Sequence, residues 1–192
     1  METFLVSAGA VAFAELGDKT QLLAIVLAAR FRAPIPIILG ILAATLVNHS
    51  LAALLGSFAG DLLSEEVLRG VLVVSFLAMA VWALLPDRLD TAPKMFNRFG
   101  AFGATLVSFF LIEMGDKTQI ATMALAARFH SVLLVTAGTT LGMMIADVPA
   151  VYLGDVAANK LPLRLMRIVA ALIFLALAAA VILDFGRRLL YA

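Results

Sequence analysis

The sequence predicts an all-α integral membrane protein with six transmembrane helices arranged as two inverted three-helix repeats. Its composition is the first reason: 64% of the 192 residues are hydrophobic and 14% are charged, whereas soluble domains are about half apolar and a quarter charged. The second reason is a set of six apolar runs, each long enough to form a membrane helix. The third is an internal duplication that aligns without a gap.

The six predicted spans leave little chain for any other structure. They are Phe4–Ala29, Ile35–Ala59, Leu68–Leu85, Phe102–Ala127, Val132–Ala157 and Leu165–Leu183. We therefore expect a helical bundle with short loops in contact with the lipid bilayer. The chain contains no cysteine, which excludes disulfides and thiolate metal sites. It also has no basic run that would suggest nucleic-acid binding.

The duplication predicts how the chain is divided. The segment "ELGDKTQLLAIVLAARFR" (15–32) aligns with "EMGDKTQIATMALAARFH" (113–130), and glycines outside this segment also coincide. Because each half holds three spans, the second half must enter the membrane in the opposite orientation. We expect a first repeat at 1–87, a cytoplasmic linker at 88–99 and an inverted second repeat at 100–192, an arrangement that transporters commonly use.

The charges in the loops predict the orientation of the chain. Lys and Arg are more frequent in the loops after the first, third and fifth predicted spans than in those on the opposite side. Short loops rich in Lys and Arg stay in the cytoplasm. Both termini are therefore expected outside the cytoplasm.

Charged residues recur near the middle of the first and fourth predicted spans. Glu15, Asp18 and Lys19 stand at i, i+3 and i+4, so a continuous helix would place them on one face. Residues 113–117 repeat this pattern. A charge at the bilayer centre costs about 2.5–3.5 kcal/mol on insertion scales, and such residues usually mark an ion or proton path.

We predict that the two motifs meet around one cation site in the middle of the membrane. The expected metal ligands are carboxylates, namely Glu15, Asp18, Glu113, Asp116 and Asp147. Polar neighbours are expected to line the substrate pathway and to couple it to protons: Lys19, Thr20, Gln21, Asn48, His49, Lys117, Thr118 and Gln119. Gly17 and Gly115 would permit a helix break or close packing. Pro149 would leave the Ile145 carbonyl without its helical partner, beside Asp147.

The charge of this predicted site suggests exchange of a metal ion for protons. Its four motif carboxylates and two lysines would be balanced either by one divalent cation or by two protons. Oxygen ligands favour Mn²⁺, Ca²⁺ or Mg²⁺ over copper and zinc, and a thioether from Met114 would favour manganese. The competing interpretation is that each Glu–Lys pair is an intrahelical salt bridge that only holds helices together. The recurrence of Asp, Gly and Thr at fixed offsets argues against it.

The paired motifs resemble those of the GDT-type membrane cation transporters, which include bacterial manganese exporters of the MneA type and Golgi manganese/calcium transporters. The resemblance covers essentially the whole chain, and its motif residues are Glu15, Gly17 to Thr20, Glu113 and Gly115 to Thr118. It implies a secondary transporter of the bacterial inner membrane, not an enzyme. Mn²⁺ and protons are the expected substrates, and no prosthetic group is expected. Ca²⁺/H⁺ exchange, a passive divalent-cation channel and association into a homo-oligomer stay open.

Overall fold

The structure, a computed structural model, describes residues 1–85, 99–153 and 163–190, and nearly all of these residues are helical. The helices are α1 (Glu2–Glu15), α2 (Lys19–Phe31), α3 (Pro34–Leu62), α4 (Glu65–Leu84), α5 (Gly100–Glu113), α6 (Lys117–Phe129), α7 (Val132–Leu153) and α8 (Leu163–Leu190). The prediction of an all-helical protein is confirmed for these ranges. The predicted linker at 88–99 lies outside them except for its last residue.

Four helices are long and apolar enough to cross a membrane, namely Pro34–Leu62, Glu65–Leu84, Val132–Tyr152 and Arg164–Asp184. Many large apolar side chains on their outer faces are exposed, including Val47, Phe58 and Val74. A soluble protein rarely exposes so much contiguous apolar surface. The chain is therefore an integral membrane protein whose outer surface suits contact with lipid.

The first and fourth predicted spans are not the single helices that the sequence suggested. Each consists of two short helices in series, α1 with α2 and α5 with α6, of 14 and 13 residues. At 1.5 Å per residue each is about 20 Å long, which is less than the roughly 30 Å of a bilayer's hydrocarbon core. The expectation of continuous helices at these two places is wrong, and the breaks fall in the duplicated motifs.

Helices of one half pack against helices of the other half. α1 lies along α7, and α3 lies along both α5 and α6. Gly138 in α7 brings that helix against Ser7 of α1, and Gly40 in α3 brings that helix against Thr105 of α5. The two contacts join residues at the same relative positions of the two halves. Because each half contributes a helix to both contacts, the halves interlock instead of standing side by side.

A second pair of helices closes the bundle. α4 packs along α8, and Phe76 and Phe174, which occupy equivalent positions in the duplication, are completely buried there. Side-chain interactions hold one end of the bundle, where α3 leads into α4 and α6 ends. Ser64 caps α4 by accepting a hydrogen bond from the Val67 N–H, and the Asp61 carboxylate lies 3.3 Å from His130 Nδ1.

Adding a methyl group at the interlocking glycines should destabilise the fold. An alanine Cβ at position 40 would lie 2.8 Å from the Phe102 carbonyl oxygen and from Thr105 Cβ, so we expect Gly40→Ala to cost about 1–3 kcal/mol. Gly138→Ala should behave in the same way. Gly70→Ala is the matched control, since nothing lies within 4 Å of its added Cβ. Unfolding by SDS titration in mixed micelles measures the difference, and equal stability of all three variants would contradict the interlocked packing.

Candidate functional site

Both motifs interrupt a helix at the same point in the repeat. The chain leaves the helix at 16–18 and again at 114–116. In these breaks Gly17 and Gly115 have φ angles of 82° and 77°, a left-handed conformation that glycine adopts without steric cost. Each of these glycines therefore lies at a helix break. The prediction that Glu, Asp and Lys of each motif share one continuous helix face is wrong, because the helix ends at the Glu and restarts at the Lys.

The breaks place an aspartate at the start of a helix in each half. Asp18 is the N-cap residue of α2 and Asp116 is that of α6. The N-terminus of a helix carries a partial positive charge, which favours a nearby carboxylate. Gln21 and Gln119 hold the breaks in shape, because the Oε1 atom of each accepts a hydrogen bond from the N–H of the break glycine at 2.9 and 2.7 Å.

Each motif lysine pairs with the aspartate of the other motif. Lys19 Nζ lies 3.0 Å from Asp116 Oδ1, and Lys117 forms an ion pair with Asp18. The two aspartates are buried, while the lysine side chains are 25% exposed for Lys19 and 5% for Lys117. The structure thus brings both motifs together, with ion pairs that run between the motifs. Sequence reasoning missed this exchange of partners.

Three further carboxyl groups complete the cluster. Glu15, Glu113 and Asp147 are completely buried. The Glu15 carboxyl is close enough to be repelled by the other four acidic groups of the predicted site, and Asp147 likewise by Glu113 and Asp18. We call the five acidic residues the carboxyl cluster: Glu15, Asp18, Glu113, Asp116 and Asp147. The lysines supply only two positive charges to it.

Hydrogen bonding differs between the two glutamates of the cluster. Asn48 Nδ2 donates to Glu113 Oε2 at 3.2 Å and to the Phe110 carbonyl at 3.1 Å. Neither Glu15 nor Asp147 accepts a hydrogen bond from the described residues. Buried carboxylates in that situation are unfavourable unless a cation or a proton joins them. These two groups are therefore the part of the cluster best suited to reversible binding of a cation or a proton.

The remaining predicted site residues either contact the motif region or are buried in the bundle. Thr20 Oγ1 donates to Asp18 Oδ2 at 3.3 Å, and Gln21 Nε2 donates to the Ala146 carbonyl of α7 at 3.1 Å. Thr118 is buried. His49 is buried as well, and neither of its ring nitrogens has a hydrogen-bond partner among the described residues.

Pro149 lies inside α7, which continues to Leu153. The role predicted for the Ile145 carbonyl beside it stays a prediction. The carbonyl that the structure engages at this turn is that of Ala146, one residue further on, which binds Gln21.

The cluster is not a preformed chelate in this conformation. Across residues 1–85, 99–153 and 163–190, no three Asp, Glu or His side chains are grouped with the geometry of a metal site. The two aspartates instead face lysines. The two breaks also differ in exposure, since Met114 is 57% exposed whereas its counterpart Leu16 is half-buried. The carboxyl groups themselves are buried at both motifs.

The chain matches the family described as "Divalent cation/proton antiporter GDT1" over residues 3–91 and 101–187. The two matched segments correspond to the two halves of the duplication and together cover most of the chain. The chain belongs to the GDT1 family. Its members are antiporters, so membership favours coupled exchange over a passive channel for this GDT1 protein.

Several relatives of this GDT1 protein carry informative names. A protein of Vibrio cholerae named "Putative manganese exporter" is 52% identical over 181 residues, which cover 94% of this chain and 90% of the relative. In rice, "GDT1-like protein 4" is 28% identical and the alignment covers 91% of this chain and 70% of the relative. The rice "GDT1-like protein 1, chloroplastic" is 30% identical over 90% of this chain and 59% of its own length. No solved structure matches this chain.

The reciprocal ion pairs of this GDT1 protein should stabilise its fold jointly. Lys117→Met leaves Asp18 buried without that lysine, and Asp18→Asn removes the carboxylate that Lys117 faces. Breaking a buried pair from one side costs about 3–5 kcal/mol, so each single variant should unfold at lower SDS fractions than the parent. The double variant should lose much less than the sum of the two.

Glu65→Gln is the control for this cycle, because the Glu65 side chain is 70% exposed in its pair with Arg69. Exposed pairs contribute about 0–1 kcal/mol. Strict additivity of the Lys117 and Asp18 changes would contradict a direct pairing between the two motifs.

Proposed function

We propose that this protein exports Mn²⁺ from the cytoplasm in exchange for protons, with the carboxyl cluster as the shared binding site for both. The observation that carries this proposal is the burial of five carboxyl groups with only two lysines between them. The name of the Vibrio cholerae relative supports manganese as the cargo. Oxygen ligands suit this hard cation as well as Ca²⁺.

The charge of the cluster supports a defined number of protons exchanged for each Mn²⁺ ion. With all five carboxyls ionised, the cluster carries three more negative charges than the two lysines balance. An Mn²⁺ ion together with one proton would make it neutral, and so would three protons without the metal. A cluster that stays neutral in both states therefore exchanges one Mn²⁺ for two protons. Neutrality matters because a net charge at the centre of a bilayer is costly.

Displacement of the lysines supports a route for the metal into the cluster. An incoming Mn²⁺ would compete with Lys19 and Lys117 for the two aspartates, and the Glu15 and Asp147 carboxyls are the groups without hydrogen-bond donors in the described structure. A cation could bind first to these two groups and then recruit the aspartates. Met114 lends the metal choice no support, since its side chain is more than half exposed.

The membrane arrangement we propose is six crossings in two inverted repeats, at 1–87 and 100–192 and joined by a cytoplasmic linker at 88–99. The paired half-helices α1–α2 and α5–α6 each reach across the bilayer as one interrupted crossing, and two such crossings in corresponding places are typical of transporters with inverted repeats. The loop charges support termini outside the cytoplasm. The inner membrane is the corresponding location in a bacterium.

The two breaks give this arrangement a means of alternating access. In this conformation the break of the first motif is covered, because buried Gln21 spans from Gly17 to the Ala146 carbonyl of α7. The break of the second motif is exposed at Gly115 and Met114. In an inverted repeat the opposite state arises when the two halves exchange these arrangements, so the cluster would open first to one side and then to the other.

Proteoliposomes with a pH-sensitive dye inside test this function. A gradient of Mn²⁺ should drive a proton flux in the opposite direction in the parent protein, and Glu15→Gln or Asp116→Asn should abolish it because each removes a carboxylate of the cluster. Glu66→Gln, outside the cluster, is the control and should leave the flux unchanged. Ca²⁺ in place of Mn²⁺ measures the preference between the two metals. Absence of metal-driven proton flux, or full flux in Glu15→Gln, would refute antiport through this cluster.

The neutral exchange makes a separate prediction about voltage. If one Mn²⁺ is exchanged for two protons, no net charge crosses the membrane, and the rate should not change when a potassium diffusion potential is imposed with valinomycin. A cycle that moved one net charge would instead respond to the potential, because each elementary charge gains about 2.3 kcal/mol per 100 mV. Initial rates at zero and at imposed negative potential decide between the two.

A further inference from the structure

The first half of α7 carries two buried threonines on the face that leads to the carboxyl cluster. Thr136, Thr140 and Asp147 stand at i, i+4 and i+11, which places them within about 40° of one another around the helix. Both threonines are less than a tenth exposed, and neither hydroxyl has a hydrogen-bond partner among the described residues. The stripe runs from the second turn of α7 to the cluster, a rise of about 17 Å from Thr136 to Asp147 and roughly half the thickness of the hydrocarbon core.

The neighbouring threonine of α7 behaves differently from this pair. Thr139 Oγ1 donates to the Val135 carbonyl at 2.9 Å, the local bond that Thr side chains in helices usually make. Thr105 and Thr122 make the same bond to the carbonyl four residues earlier. Thr136 and Thr140 do not make this hydrogen bond. Unpaired polar groups at membrane depth occur where a helix lines a water-filled cavity or faces other protein.

The duplication shows that these two threonines belong to one half only. The positions of α3 that correspond to Thr136 and Thr140 are Ile38 and Leu42. Residues needed only to pack the bundle would be expected to share their character with these counterparts, as Phe76 and Phe174 do. At these two positions α7 is polar where α3 is apolar, and closer to the cluster the same face of α3 carries the buried Thr45 and His49.

The polar face begins at one defined end of the bundle. α7 starts just after α6, next to the end of α3, where His130 pairs with Asp61. The opposite end of the bundle carries the turn between α2 and α3, beside Ala29. A route along Thr136 and Thr140 would therefore connect the cluster with the end that Asp61 and His130 mark.

We propose that Thr136 and Thr140 line a polar half-channel through which the transported cation passes between Asp147 and the end of the bundle at Asp61 and His130. The inference rests on the proposed function for the identity of the cation. Hydroxyl oxygens can replace water molecules around a hard divalent cation. The half-channel is closed in this conformation, since both threonines are buried, and it opens when the cluster faces that end.

Cysteine accessibility tests the half-channel directly, because the parent chain has no cysteine. A membrane-impermeant cationic thiol reagent is added to one side of vesicles that carry Thr140→Cys. Two exposed positions report the sides: Asp61→Cys for the proposed mouth and Ala29→Cys for the opposite end. We expect Thr140→Cys to react only from the side on which Asp61→Cys reacts. Reaction from the side of Ala29→Cys, or no reaction from either side, would overturn the proposal.

Two matched variants control for non-specific access. Thr139→Cys replaces the adjacent, locally bonded threonine, and Leu42→Cys occupies the position of α3 that corresponds to Thr140. Because a membrane-impermeant cationic reagent reaches only thiols that open to water, we expect Thr140→Cys, on the proposed half-channel, to react at least about tenfold faster than either. Equal rates for Thr140→Cys and Thr139→Cys would overturn the half-channel, since the reagent would then not distinguish the polar face.

A transport measurement completes the test. Thr140→Val keeps the shape of the side chain and removes the hydroxyl, and it should slow Mn²⁺ movement several-fold, whereas Thr139→Val should leave it unchanged and Thr140→Ser should restore it. If Thr140→Val were as active as the parent, the proposal would be wrong. Labelling does not require transport, so side-specific reaction of Thr140→Cys in a protein that moved no metal would support the half-channel while refuting the proposed function.

Discussion

The exchange of partners between the two motifs is the interaction on which the rest of the site depends. Five carboxyl groups buried in the middle of a membrane protein repel one another, and Asp18 and Asp116 are held there because each has a lysine from the other motif beside it. If each lysine served its own motif, the two halves would have no electrostatic reason to approach. The crossed pairs instead require both breaks to lie at one centre. Glu15, Glu113 and Asp147 can then share that centre.

The crossed pairs in turn require the helices to be broken. In a continuous helix Asp18 and Lys19 would be adjacent residues with side chains that diverge, and the N–H groups at the start of α2 would be bonded within the helix. The left-handed glycine ends α1 and lets α2 restart with Asp18 as its N-cap residue. The aspartate therefore lies at the positive end of a helix while Lys19 is free to turn toward Asp116. Interlocking of the two halves keeps the broken segments in place.

The sequence predicted much of this architecture because its strongest signals were periodic. Hydropathy gave the helical bundle, and the duplication pointed to Glu15, Asp18, Glu113 and Asp116 as one site, which the structure brings together. Helical spacing misled at one step, since it assumes an unbroken helix through Gly17. The pairing of Lys19 with Asp116 could not be read from the sequence, because it depends on how α1 packs on α7 and α3 on α5. The same limit applied to the hydroxyls of α7, whose missing local bonds are visible only in three dimensions.

The differences between the two halves are as informative as their identity. Positions that the duplication preserves, such as Gly40 with Gly138 and Phe76 with Phe174, make equivalent contacts and hold the bundle. Asn48, which donates to Glu113, corresponds to Ala146, whose side chain can donate nothing to Glu15. A perfectly symmetric exchanger would treat its two sides alike. In this chain Glu113 accepts a hydrogen bond from Asn48 and Glu15 accepts none from the described residues, so the asymmetry lies within the carboxyl cluster itself.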